Sequence, residues 1–215
     1  MSTRPAPSAK RIAAQARCDA MVAHARDQIR TVGVDRFSVN EVVKASGGSK
    51  ATLAKYFGDR DGLIAAAIAA EAHDTIAALA LDTDQARALP LPEALHRALR
   101  GVLHFYLGAG SLALYRAVIS AASSNPGGAR TFYDQGHRQI VQAVADLLSA
   151  RQPHDVRAGL DCTDVADQLL HAIRAGLYEQ RLIGLSPVVS DTAIDARISA
   201  TLALVLPGLA PVTRP

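Results

Sequence analysis

Apolar side chains recur along most of this chain at intervals of three and four residues, the period of one helical face. Met21, Val22, Ala25, Ile29 and Val32 make the first such stripe, and Gly33 stops it. Similar patterns predict helices over roughly 10–32, 39–46, 50–57, 60–81, 92–108, 112–123, 127–150, 162–183 and 191–206. Breaks fall where Gly, Pro and cap residues gather, at "SGGS", "FGDR", "LPLP", "GAGS", "SNPGG" and "RQPHD". No run alternates β-branched with polar residues, and no Asn-Gly or Asp-Gly hairpin joins two such runs. The pattern predicts an all-α fold.

The second predicted helix has the most fully specified start. Ser38 is placed to cap it, Glu41 follows three residues later to complete a capping box, and Phe37 and Val42 are spaced as a hydrophobic staple. Val39, Val42 and Val43 are expected to face inward, Gly47 to end the helix, and Ser49 to cap the third helix after Gly48. Two helices of about eight residues joined by a short glycine-containing turn form a helix-turn-helix candidate.

Charge sharpens that reading. Residues 1–60 carry 11 Lys and Arg against 5 Asp and Glu, whereas residues 61–215 carry 12 against 15, and all four lysines (Lys10, Lys44, Lys50, Lys55) fall in the first part. A basic head on a neutral-to-acidic body is the electrostatic footprint of nucleic-acid binding. The two cysteines, Cys18 and Cys162, stand apart with no CxxC or Cys/His cluster, which suggests neither a disulfide framework nor a structural zinc site. A reducing, cytoplasmic setting fits that usage. The segment "MSTRPAPSAKR" has no apolar core of a signal peptide, and about 18 uninterrupted apolar residues occur nowhere, so no membrane association is expected.

On the third helix Leu53 and Phe57, four apart, can anchor against the first two helices and leave a polar face outward. Lys50 and Ala51, at its N-terminal end, suit base edges: a lysine can donate to guanine, and an alanine permits close approach or touches a thymine methyl. Thr52, Lys55 and Tyr56 suit phosphates, as does Ser38 at the start of the second helix, Asn40 suits a base or a phosphate, and the capping Ser49 belongs to the same DNA-facing set. A merely solvated polar exterior would use the same residue types. No HExxH, GxSxG, Walker loop or GxGxxG occurs, and Asp134 with His137 three residues apart does not make a metal site. Neither a catalytic residue, nor a cofactor, nor a metal ligand is expected.

The segment "GVDRFSVNEVVKASGGSKATLAKYFGDRDGLI" resembles the N-terminal domain of the TetR/AcrR family of bacterial transcription regulators. Gly33, Ser38, Val42, Lys44, Gly47, Ser49, Lys50, Thr52, Leu53, Tyr56, Phe57 and Leu63 match its pattern, and Arg60 stands where the family has a phosphate-contacting lysine. Ala54 departs from it, occupying the place of a tyrosine that reaches the DNA backbone, as do Ala51 and Gly58. Further on, Pro126, Phe132, Tyr133, Gly136, Asp164 and Leu169 resemble the AefR-like C-terminal subgroup.

The basic residues before the first helix (Arg4, Lys10, Arg11, Arg17) suggest a basic, flexible arm over residues 1–16, and the resemblance implies a helix-turn-helix DNA-binding domain over 17–60 and a helical ligand-binding and dimerisation domain over 61–215, linked by the fourth helix. It implies a homodimer on a pseudo-palindromic double-stranded operator, most simply a repressor released by a small-molecule effector. A constitutive architectural DNA binder and an all-helical enzyme are the alternatives. Effector anchors would be drawn from His104, Tyr106, Tyr115, Arg116, His137, Arg174 and Tyr178. Leu169, Ile173 and Leu177, and Ile194, Ile198, Leu202 and Val205, form two stripes expected to close a dimer interface, although burial within one subunit would use the same residues.

Overall fold

The computed structural model describes residues 9–33, 36–79, 88–123, 126–186 and 188–211. Every regular element among them is helical. In chain order they are α1 (Ala9–Val32), α2 (Val39–Ala45), α3 (Lys50–Tyr56), α4 (Arg60–Leu79), α5 (Leu91–Leu107), α6 (Ala109–Ala121) and α7 (Pro126–Phe132). A π-helical turn, Tyr133–His137, leads into α8 (Arg138–Ser149), followed by α9 (Cys162–Arg174), α10 (Leu177–Leu182) and α11 (Asp191–Leu209). The first helix begins at Ala9, within one residue of the start that the periodicity gives, and so covers residues 9–16 of the arm expected over 1–16; the rest of that arm, with Arg4, lies outside the described residues.

The chain divides into two compact units, Met1–Glu71 with Ala113–Phe132, and Ala72–Leu112 with Tyr133–Pro215. In the first, α2 and α3 pack on α1. Cys18, Met21, Ala25 and Ile29 form the buried stripe of α1, and Val42, Leu53, Leu63 and Ile64 contribute from the next three helices. Val22, Val32, Val39 and Val43, expected on the inner faces, are half-buried, while Cys18 extends the α1 stripe by one turn. Glu71 near the middle of α4 is held to α1 by Arg26 at 2.7 Å and Arg30 at 2.8 Å. Burial alone would lift the Glu71 carboxyl, but hydrogen bonds from Arg30 and Arg26 hold it below the ordinary carboxylate range.

In the second unit α5 packs against α9 and α11, and α8 packs against α9. Leu95, Leu99 and Leu103 of α5 meet a core that includes Ile140 and Leu148 of α8, Leu170 and Ile173 of α9, and Ile198 of α11. Arg100 of α5 reaches Asp195 and Asp191 of α11 at 2.9 and 2.8 Å, a clamp at the rim of this core. By length and composition α11 could cross a membrane, a test that core helices also pass; here Ile194, Ile198, Leu202 and Leu209 are buried in its own unit.

Several boundaries differ from the periodicity: α6 starts at Ala109 where residue 112 was expected, and the single helix expected over 127–150 is interrupted by the π-helical turn Tyr133–His137. The single helix expected over 162–183 breaks at Ala175 and Gly176, because Gly176 turns into the left-handed region at φ 78° and starts α10 anew. The last helix runs through Pro207 to Leu209, since a proline in the final turn removes only one donor and Ala210 still donates to Leu206 O.

Candidate nucleic-acid interface

The geometry of the helix pair starts with its caps. Ser38 accepts from the Glu41 N–H at 3.4 Å, as a capping box requires, but the reciprocal half is built differently. Gln28 of α1 accepts from the Ser38 N–H at 2.7 Å through its amide oxygen and donates to the Glu41 carboxylate at 2.7 Å through its amide nitrogen. One glutamine side chain therefore bridges α1 to the start of α2. Nothing in the local motif indicated it, because Gln28 lies ten residues upstream.

The turn between α2 and α3 depends on two glycines for different reasons. Gly47 has φ +63°, a left-handed helix stop, with the Gly48 N–H returning to Val43 O at 3.2 Å. Gly48 packs so tightly on the terminal methyl of Met21 that a Cβ there would overlap it. Ser49 then caps α3, accepting from the Thr52 N–H at 3.1 Å, and the two hydroxyls bond to each other at 2.9 Å.

With Leu53 buried and Phe57 half-buried, Lys50, Ala51, Ala54, Lys55 and Tyr56 are exposed on α3, and Ser49 is exposed at its cap. The Lys55 ammonium lies 5.2 Å from the centre of the Tyr56 ring. Asn40 and Lys44 are exposed on α2, whereas Ser38 and Thr52 are half-buried and already hydrogen-bonded. Arg60, at the start of α4, stacks its guanidinium over Phe37 at 5.6 Å and pairs with Asp61 at 3.0 Å. The expected set is thereby brought to one small helical module, with Asn40, Ser49, Lys50, Ala51, Lys55 and Tyr56 its exposed members.

The residues expected to anchor an effector separate into two groups. Tyr106, His137, Arg174 and Tyr178 come together in the second unit. The Tyr106 hydroxyl meets His137 Nδ1 at 2.8 Å, and the Arg174 guanidinium lies 4.9 Å from the Tyr106 ring and 5.4 Å from that of Tyr178. Asp167 and His171, which the sequence did not single out, complete the group: His137 Nε2 is 3.0 Å from Asp167 Oδ1, and the two imidazoles meet edge to face at 5.4 Å. Burial holds the His137 imidazole below its ordinary range, with Arg174 acting in the same direction and Asp167 opposing. His104 is outside the group, exposed on α5 and 3.5 Å from Asp191. Tyr115 packs edge-on against Phe132 in the first unit, and Arg116 is exposed. Asp134 pairs with Arg138 at 3.3 Å.

The side chains expected at a dimer interface are mostly spoken for. Leu169, Ile173, Ile194, Ile198 and Leu202 are buried within the chain itself, and Leu177 and Val205 are half-buried. Their stripes pack α9 and α11 into the core of their own unit, the alternative that the periodicity left open. Near these helices, Ile183, Leu185 and Val188 after α10 and Leu204 on α11 face outward.

Residues 22–67 match the family model described as bacterial regulatory proteins, tetR family. Residues 93–207 match the model described as AefR-like transcriptional repressor, C-terminal domain. A solved chain from Mesorhizobium loti assigned to the TetR family is similar in fold, with a TM-score of 0.71 at 19% identity over 89% of this chain and 97% of that one. The flavonoid-responsive regulator FrrA gives 0.67 at 27% identity, covering 92% and 98%. A TetR transcriptional regulator from Agrobacterium tumefaciens gives 0.63 at 24%, covering 87% and 93%. A search of the curated proteins found no match.

Proposed function

Since the chain belongs to the TetR family of bacterial regulatory proteins, with an AefR-like C-terminal domain, we propose that it is a homodimeric repressor that binds a pseudo-palindromic operator and is released by a small molecule. Members of this family are transcription regulators, not enzymes. The observation that carries the reading is α3: a Ser49-capped helix whose inner face is anchored by Leu53 and whose outer face exposes Lys50, Ala51, Lys55 and Tyr56. Lys50 and Ala51 read base edges in the major groove, and Lys55, Tyr56 and Asn40 hold phosphates. Ser38, Ser49 and Thr52 act first as caps that fix the two helices, and Arg60 braces Phe37 beside the same surface.

The dimer would form through the outward face of α11 and the segment before it, where Ile183, Leu185, Val188 and Leu204 are exposed. Effector binding would engage Tyr106, His137, Arg174 and Tyr178, two phenols with an imidazole and a guanidinium, which suits an aromatic molecule carrying a hydroxyl or carboxylate. FrrA is flavonoid-responsive by name, and the same class is the first to screen here. A change reaching α4 would pass to α1 through the Glu71 clamp.

Selection of bound sequences from random duplex DNA tests the reading. The expected product is an inverted repeat with half-sites one helical turn apart, about 34–36 Å. Recovery of no enriched motif at low salt would overturn it. A thermal-shift screen that never finds a stabilising small molecule would favour an architectural DNA binder without an effector.

A further inference from the structure

We propose that the second unit binds a divalent first-row transition ion, of the zinc, cobalt or nickel type, between the π-helical turn and α9 through His137, Asp167 and His171. One ligand atom from each residue lies within 4.8 Å of the other two. Tetrahedral bonds of about 2.0–2.1 Å place neighbouring ligand atoms roughly 3.3 Å apart. Two of the spacings bracket that value: His137 Nε2 to Asp167 Oδ1 is 3.0 Å, and His171 Nδ1 to the same oxygen is 3.5 Å. His171 Nδ1 donates to the Asp167 backbone carbonyl at 2.8 Å, so taking up an ion requires His171 to give up that bond and turn a deprotonated nitrogen toward Asp167 and His137.

The backbone explains why these three meet. Asp167 and His171 are four apart on α9 and share a face. His137 comes from the opposing segment, at the last position of a π turn, an irregularity frequent at functional sites. Its other ring nitrogen, Nδ1, faces the Tyr106 hydroxyl at 2.8 Å. With Nδ1 protonated and donating to Tyr106, Nε2 presents its lone pair to the ion, the outer-shell arrangement that fixes the tautomer of a metal-bound histidine. Two imidazoles and a carboxylate select borderline ions over calcium or magnesium, which take mainly oxygen. His137 and Asp167 are half-buried and His171 is exposed, which gives the ion a way in from the His171 side and leaves coordination positions for water. The Arg174 cation acts on His137 as a like charge, so affinity falls short of that of a closed four-ligand site.

The test uses full-length protein without a polyhistidine tag, stripped with a chelator and titrated with Zn²⁺ by calorimetry and with Co²⁺ by visible absorption. One ion per chain is expected, with the d–d bands of cobalt in a low-symmetry site. H171A, at an exposed position, and D167N, a near-isosteric change at a half-buried one, should each weaken binding at least tenfold, and Tyr106→Phe should weaken it by about tenfold with all three ligands intact. His104→Ala, at a histidine remote from the triad, should bind as the wild type does. Failure of the wild-type chain to take up one ion, or unchanged binding in both H171A and D167N, overturns the site and leaves an ordinary His–Asp pair. The readout involves neither DNA nor an effector, so such a failure does not touch the regulatory reading.

Discussion

At the scale of single residues, the proposed function gives the two lysines of α3 different tasks, Lys50 at base edges and Lys55 at phosphates. Lys50→Ala should relax base preference at one operator position with a modest loss of affinity. Lys55→Ala should weaken binding to all sequences and lower the salt slope by roughly one, as measured by fluorescence anisotropy over a salt series. Gly62 sets a different constraint. Its N–H donates to Asp59 Oδ1 at 2.8 Å, and a Cβ there would run into the backbone carbonyl of Phe57, which cannot swing aside as a side chain can. Gly62→Ala should therefore destabilise the first unit by about 1–3 kcal/mol, read as a lowered denaturant midpoint, with DNA affinity falling in parallel. Capping serines, turn glycines and the α3 face were legible in the sequence because each acts within a few residues of itself. Gln28, Asp167 and His171 were not, because their roles depend on partners 10 or more residues away that only the packing brings near.

Helices as units show where periodicity succeeds and where it stops. It located the elements among the described residues, yet it ran α9 into α10, because nothing but the backbone of Gly176 distinguishes a left-handed turn from one more small residue. It also could not tell the inner from the outer face of α11, since apolar side chains occupy both: Ile198 is buried and Leu204 is 83% exposed. The α1–α4 clamp belongs to this scale. Glu71 has a lowered folded-state pKa, so its contribution is present above the ordinary carboxylate value near 4.5 and is lost as pH falls through the folded value. The Glu71 side chain is 36% exposed, which limits the pair to about 1 kcal/mol. Glu71→Gln should lower stability by about that amount at neutral pH and flatten the acid limb of a pH-dependent melting series. An unchanged acid limb would place the titrating group elsewhere.

For the whole molecule, the proposed dimer rests on surface rather than core. Leu204→Glu puts a charge at a position open to solvent in the single chain, so the fold should persist while association fails. Sedimentation should show a shift from dimer to monomer, and operator binding should lose its cooperativity. Substitution of Ile198, buried in the chain, should instead lower stability by the 2–5 kcal/mol typical of a core truncation to alanine.

Lysine is confined to the first 55 residues, and Lys44, Lys50 and Lys55 are all exposed on α2 and α3. Every side-chain amine that a chemical label or an acetyl donor could reach therefore lies in the helix-turn-helix segment or, for Lys10, just ahead of it. An amine-reactive probe becomes a footprinting reagent for this protein: operator binding should shield Lys50 and Lys55 from modification, and mass spectrometry of the intact chain would report occupancy with almost no background from the body.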